Sequence, residues 1–290
     1  MTELPSRPAA EAAQLPLTDR AEQARRFLHL HQPGSPLLLP NPWDVGSALI
    51  LRTLGFAALA TTSSGHTATL GRPDGSLTRA EALEHATAIA VASGLPVSAD
   101  LENGFGDSPE EVAATVRGAL DAGLAGCSIE DSSRVGETPV YDLRLATERI
   151  AAAAKAAHEG PVRLVLTARA ENYVRDRPDL SDTITRLQAY QEAGADVLYA
   201  PGLVRAEDIR ALVTSVDRPV NVLALPGVPP VPELASLGVA RVSIGGGFAF
   251  AALGALVQAA TEFRNAGTYG YRALTTRGSA VTRSAFGGVD

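Results

Sequence analysis

A single cysteine, Cys127, stands in the 290 residues, which excludes an internal disulfide and a cysteine-rich metal cluster and agrees with a reducing compartment. A basic stripe is also missing. Net charge is −7 with acids and bases mixed along the chain, which argues against a phosphate backbone, and so against nucleic acid, as partner. No long apolar run is present: Phe248 to Ala260 is too short to span a bilayer and is interrupted by Gly254 and Gln258. The N-terminus lacks a basic-then-apolar signal pattern, so the expectation is a cytoplasmic protein without a membrane partner. What is there, 46% apolar and 20% charged residues, is enough for a globular core.

From Leu37 onward, short apolar runs alternate with longer Ala-rich amphipathic runs, the pattern of a parallel sheet covered by helices. The predicted strands are Leu37 to Pro40, Ala57 to Thr61, Pro96 to Glu102, Gly126 to Glu130, Arg163 to Arg169, Val197 to Ala200, Val220 to Ala224 and Arg241 to Gly245. A helix is predicted after each: Val45 to Thr53, Arg79 to Ala92, Pro109 to Ala122, Leu143 to Ala157, Asp182 to Glu192, Ala206 to Thr214, Pro232 to Ser236 and Phe248 to Arg264. Eight such units predict an α/β fold of the (β/α)₈ TIM-barrel type, typically about 250 residues long. A doubly wound sheet is the alternative, but no Gly-x-Gly-x-x-Gly follows the first strand. Residues 1–17 read as a flexible arm, 18–266 as the barrel and 267–290 as a tail that needs another surface to order it.

In such barrels the active site lies at the C-terminal ends of the strands, and polar residues gather there. Asp100 and Glu102 lie two apart at the end of the third predicted strand, so an extended chain points both the same way. Two converging carboxylates suit a hard divalent ion, Mg²⁺ first; the competing reading has them cap the helix beginning near Ser108-Pro109-Glu110. Thr61-Thr62-Ser63-Ser64-Gly65-His66 reads as a turn whose N–H groups and hydroxyls can cradle a carboxylate or an enolate oxygen, or as an ordinary polar loop. His66 is either an acid/base or a surface residue. Asp44 and Asp131 are equally well helix caps. Arg169 ends an otherwise apolar strand, so its charge needs a partner, either the local acids or a substrate carboxylate. Asn221 stands near the exit of the seventh strand, and Cys127 reads as a small buried hydrophobe.

These residues together resemble the isocitrate lyase and phosphoenolpyruvate mutase superfamily over Phe27 to Arg264. The matching pieces are Asn41-Pro42-Trp43-Asp44, Ser63-Ser64-Gly65 with Leu70-Gly71-Arg72-Pro73-Asp74, Asp100-Leu101-Glu102-Asn103-Gly104-Phe105-Gly106, Ile129-Glu130-Asp131 and Ala168-Arg169-Ala170-Glu171. The resemblance implies Mg²⁺, with Mn²⁺ as substitute, held directly by Asp100 and through waters by Asp74, Glu102 and Glu130. It implies a pocket for a small 2-oxo or 2-hydroxy carboxylic acid, lined by Trp43, Ser63 and Ser64 and gripped by Arg169, and an enolate intermediate. Strand-end position adds Asp44, Thr62, Gly65 and Asn221 to the substrate-binding candidates; Arg169, Glu130 and Asp74 are the catalytic candidates. It further implies a homotetramer that exchanges the last helix between neighbours, in keeping with the apolar character of Phe248 to Ala260 on nearly every face.

The departures narrow the chemistry. After Ile-Glu-Asp the family's lyases carry Lys-Arg-Cys-Gly-His and its mutases Pro-Lys-x-Asn-Ser, whereas this chain reads Ser132-Ser133-Arg134-Val135-Gly136-Glu137-Thr138-Pro139. The leading expectation is a Mg²⁺-dependent lyase cleaving a C–C bond beside a 2-oxo group, by oxaloacetate-type decarboxylation or retro-aldol release of a pyruvate-like enolate. The alternatives are a phosphonate-type mutase or C–P hydrolase with Arg134 on the phosphoryl group, and a non-catalytic barrel that binds an oxo acid.

Overall fold

A computed structural model of the chain describes residues 16–133 and 139–287. Eight strands form its centre: β1 Leu37–Leu39, β2 Leu59–Ala60, β3 Val97–Asp100, β4 Gly126–Glu130, β5 Val165–Arg169, β6 Val197–Tyr199, β7 Val220–Leu223 and β8 Arg241–Ser243. They are parallel and ordered β1-β8-β7-β6-β5-β4-β3-β2. The seam between β1 and β2 is drawn together by Ala60 N–H donating to Pro40 O (3.1 Å) and Asn41 Nδ2 donating to Thr61 O (2.9 Å). The result is the nearly closed (β/α)₈ barrel that the alternation predicts.

Around it run α1 Leu17–His29, α2 Val45–Thr53, α3 Ser63–Thr69, α4 Arg79–Ser93, α5 Pro109–Asp121, α6 Leu143–His158, α7 Leu180–Glu192, α8 Ala206–Thr214, α9 Val231–Ser236, α10 Gly247–Ala266 and α11 Arg272–Ala285. Capping boxes start α2 (Asp44 with Ser47), α4 (Thr78 with Glu81) and α5 (Ser108 with Glu111), each satisfying N–H groups that have no partner within the helix. Among the described residues no helix is long and apolar enough to cross a membrane.

α1 closes the base of the barrel. Its Phe27, fully buried, packs with Leu37, Leu39, Val165 and Val197, in the space left by Gly126, where an added Cβ would lie 2.8 Å from the ring. Phe27→Ala therefore removes the plug and should cost about 3–5 kcal/mol, read as a lower denaturation midpoint. An unchanged midpoint would show that the base is filled otherwise.

The segment Phe248 to Ala260, read as apolar on nearly every face, lies in α10: of the helix's 20 residues only Ala249 is buried, while Phe250 is 53% exposed, Leu256 62% and Val257 65%. One stretch departs from the sequence reading. The residues after 266, read as a tail, contain α11, whose end returns to α2: Ala285 is buried, and the Phe286 ring lies 3.6 Å from where a Cβ on Gly46 would be.

Candidate active site

At the C-terminal ends of the strands opens a cavity of about 630 Å³. Its wall carries five carboxylates, Asp74, Asp100, Glu102, Glu130 and Glu171, against three guanidiniums, Arg169, Arg175 and Arg241, an excess of two negative charges. At its centre Arg169 Nη1 lies 3.0 Å from Asp100 Oδ1, Nη2 3.1 Å from Glu130 Oε2 and 2.9 Å from Glu171 Oε1, and the guanidinium stands 5.3 Å from the centre of the Tyr199 ring. The partners follow from register: Glu130 and Arg169 are paired residues of β4 and β5, and Tyr199 is the partner of Arg169 on β6. Arg175, on the turn after β5, reaches Glu130 at 3.7 Å.

Three acids on one guanidinium, two of them (Glu130 and Glu171) buried, cannot all be fully balanced. Burial, then the charges of Glu171 and Asp100, push the Glu130 carboxyl up to about 8 against the pull of Arg169. Burial raises Glu171 as well. The same acids hold Arg169 firmly protonated despite its burial.

Asp100 ends β3 as predicted, but Glu102 is not in the strand. The chain turns left-handed there (φ 49°), with Gly104 (φ 81°) following, so the Glu102 carboxylate reaches the cavity through a turn rather than through strand alternation with Asp100. Arg149, fully buried, fixes this turn by donating to the carbonyls of Asn103, Gly106 (2.7 Å) and Asp107 (2.5 Å), while the Tyr141 ring stacks 4.2 Å beneath it. The turn around Ser63 is a helix start. Thr62 caps α3 by accepting from Gly65 N–H, and the Ser63 N–H and hydroxyl both donate to Asp100 Oδ2 (3.1 and 3.0 Å), so in this state they orient an acid rather than cradle an oxyanion.

Of the substrate-binding candidates, Thr62, Ser63, Ser64 and Arg169 line the cavity. The other four are placed elsewhere. Gly65 is the point of close approach behind the wall, where a Cβ would stand 2.6 Å from Thr62 Cγ2, 3.1 Å from Trp43 Cβ and 3.2 Å from Ala249 Cβ. Trp43 packs there, its carbonyl accepting from His85 Nε2 (3.0 Å). Asp44 is exposed and spent on the cap of α2. Asn221 lies inside the barrel, bonded to Ser243 and Arg241. Asp74 is on the exposed rim. Asp131, just past the end of β4, does not line the cavity and accepts from Glu171 N–H (2.8 Å), Tyr190 Oη (2.6 Å) and Arg186 Nη1 (3.1 Å). His66 stacks on His85, ring centres 3.6 Å apart, and does not line the cavity. Arg134 lies outside the described residues.

Sequence reasoning missed Glu171, Tyr199 and Arg241 as site residues. Glu171 and Tyr199 carried the signal of position, at or just past a strand end; Arg241, at a strand start, carried none. Cys127 is fully buried in β4 and burial pushes its thiol up, which removes thiolate chemistry. Cys127→Ala should keep turnover within about threefold and cost roughly 1 kcal/mol of stability; an inactive but folded variant would give the thiol a role.

Would a divalent ion fit? All donors are oxygens, the wall is acid-rich, and burial together with the neighbouring acids Glu171 and Asp100 drives Glu130 toward protonation. Among the described residues no three acids converge as a ready cage. Mg²⁺ does not require one, since it keeps several waters and takes one or two carboxylates directly. The donor chemistry fits such an ion, which would be held by Asp100, Glu102, Glu130 and Asp74 on the cavity wall.

The family model for phosphoenolpyruvate phosphomutase matches residues 27–264. The chain belongs to the phosphoenolpyruvate mutase/isocitrate lyase superfamily. A solved structure from Burkholderia cenocepacia J2315, described provisionally as a lyase/mutase, is 49% identical and superposes with a TM-score of 0.88 over 91% of this chain and 96% of that one. The 2-methylisocitrate lyase of Halalkalibacterium halodurans is 32% identical over 68% of this chain and 66% of its own. An oxaloacetate acetylhydrolase solved with the product oxalate is 26% identical, with a TM-score of 0.79 over 92% of this chain and 95% of that one. Superfamily members are carbon–carbon lyases, hydrolases and mutases of small acids, which supports an enzyme here.

Proposed function

We propose that this superfamily member is a Mg²⁺-dependent lyase that cleaves a C–C bond next to the oxo group of a small 2-oxo acid, with oxaloacetate-type decarboxylation as the leading reaction. The observation that carries this reading is the group Asp100, Glu130 and Arg169 at three adjacent strand ends, in a cavity sized for a small acid. When bound, the metal supplies a Lewis acid where negative charge develops on the oxo oxygen.

The chain's own residues do the rest. Arg169 exchanges part of its ion pairing with the acids for a substrate carboxylate, a match for its planar fork. Ser63 holds Asp100 in place from the start of α3. In the cleavage the C3–C4 bond breaks and CO₂ leaves, the bond's electron pair forms the C2–C3 double bond while the oxo π pair moves onto the C2 oxygen; water in the open cavity then gives a proton to C3, the oxo group reforms and hydroxide is left. No cysteine acid is needed for that order of events, which suits a chain whose thiol is buried.

The test is a panel of 2-oxo and 2-hydroxy di- and tricarboxylates with Mg²⁺, following pyruvate release. Turnover of oxaloacetate but not isocitrate is expected. No product from any member would leave an oxo-acid-binding barrel instead.

The exposed apolar face of α10 supports a homotetramer in which this helix packs on a partner. Light scattering should give four chain masses for the wild type, and Leu256→Glu with Val257→Glu should dissociate it; a wild-type monomer at micromolar concentration would contradict this.

A further inference from the structure

Arg241 opens β8, and its register partners are Asn221 on β7 and Leu37 on β1. Tyr199 pairs with Asn221 and Arg169 with Tyr199, so Arg241 belongs to the same inward-facing row as Arg169, and it lines the cavity. It is 4% exposed. Its Nε donates to Asn221 Oδ1 (2.9 Å), and its Nη1 to Thr167 Oγ1 (3.1 Å) and His31 Nε2 (3.3 Å).

None of these partners is charged. His31 gives its Nδ1 to the Phe27 carbonyl (2.9 Å), and burial, with Arg241 beside it, holds it down to about 3, so it stays neutral and accepts through Nε2. Of the three guanidiniums on the cavity wall, Arg169 and Arg175 have carboxylates within 4 Å; Arg241 has none among the described residues, and its Nη2 has no protein acceptor there. Burial lowers Arg241 to about 10, still a cation at neutral pH. An uncompensated buried cation is costly, and an anion in the cavity removes that cost.

The surroundings are built rather than incidental. Ser243 accepts from Asn221 Nδ2 (2.9 Å), which fixes the amide so that its oxygen faces the guanidinium. The acids of the wall concern the metal and Arg169; Arg241 is the positive charge left over.

We propose that Arg241 is a second anion subsite on the cavity wall and takes the distal carboxylate of a 2-oxo dicarboxylic acid, whose oxo end lies toward Asp100 and Arg169. The assignment rests on the lyase reading, since it names the substrate class of that site. Asn221, bonded to Arg241 and not to the cavity, then acts as its positioning residue.

Calorimetric binding in the presence of Mg²⁺ tests it with three probes: 3,3-difluorooxaloacetate, its methyl-terminated counterpart 3,3-difluoro-2-oxobutyrate, and oxalate. The wild type should prefer the dicarboxylate over the methyl analogue by about 100-fold. Arg241→Met should shrink this preference to about threefold with little change for oxalate, and Arg241→Lys should keep about tenfold. No preference in the wild type, an undiminished preference in Arg241→Met, or an equal loss for oxalate and dicarboxylate would overturn the subsite. Should Arg241→Met fail to fold, the wild-type ratio and Arg241→Lys decide. Absence of oxalate binding would count against the lyase reading, while the two-probe ratio still scores Arg241.

Discussion

Asp100→Ala should lower turnover by about 10³-fold, the equivalent of roughly 4 kcal/mol of lost charge stabilisation at the oxo oxygen, and should abolish high-affinity Mg²⁺ binding. The fold should survive. Arg169 keeps Glu130 and Glu171 at 3.1 and 2.9 Å, and removing one acid from the excess relieves repulsion that now pushes Glu130 up. The groups that lose this acceptor are Arg169 Nη1, the Glu102 N–H, and Ser63, whose N–H and hydroxyl both donate to Asp100 in the wild type. Steady-state kinetics and metal calorimetry, with the thermal midpoint as a control for folding, read these effects together. Wild-type turnover in Asp100→Ala would place the metal elsewhere.

Arg169 should show the second large effect, in stability as well as function. Arg169→Lys keeps the charge but not the fork, and should weaken substrate binding by about 30-fold, as expected for a loss of about 2 kcal/mol at a buried charged pair. Arg169→Met leaves Asp100, Glu130 and Glu171 with Arg175, 3.7 Å from Glu130, as the one cation within 4 Å among the described residues, and should destabilise the barrel by about 3–5 kcal/mol near neutral pH. The pH dependence has a definite sign. Glu130 is already raised from 4.5 to about 8 in the folded wild type, so its contribution is fully present below 4.5 and is lost as pH rises through about 8. Without Arg169 the acids favour protonation more strongly, so Arg169→Met should recover stability toward pH 5 and lose most at pH 8. Equal destabilisation at both pH values would mean that Arg169 acts through packing and not charge.

The barrel was legible because its signals are local and repeated: each strand is a short apolar run, and several helix starts carry their own cap, as at Thr78 and Ser108. Asp100, Glu130 and Arg169 were legible for a related reason, since a charged residue closing an apolar strand has few other places to go. What escaped depends on contacts far apart in sequence. α3 is seven residues of Ser, Gly, His, Thr and Ala, too short and too polar to show a helical period. Glu102 looks like a strand residue until the left-handed turn, held from 46 positions away by Arg149, redirects it. Arg241 has no motif at all; only the register of β7 and β8 brings it to Asn221 and the cavity. Asp44 went the other way, its N-cap chemistry sufficing to explain it.

The measurement closest to the central claim is decarboxylation of oxaloacetate in deuterium oxide, followed by NMR with Mg²⁺ present and again with excess chelator. An enzyme that forms an enolate and lets water protonate it yields CO₂ and pyruvate carrying one deuterium at C3 from the first turnovers, at a rate that falls to the uncatalysed level when the metal is removed. Undiminished turnover in chelator, or no acceleration with Mg²⁺ over a protein-free control, would contradict the account.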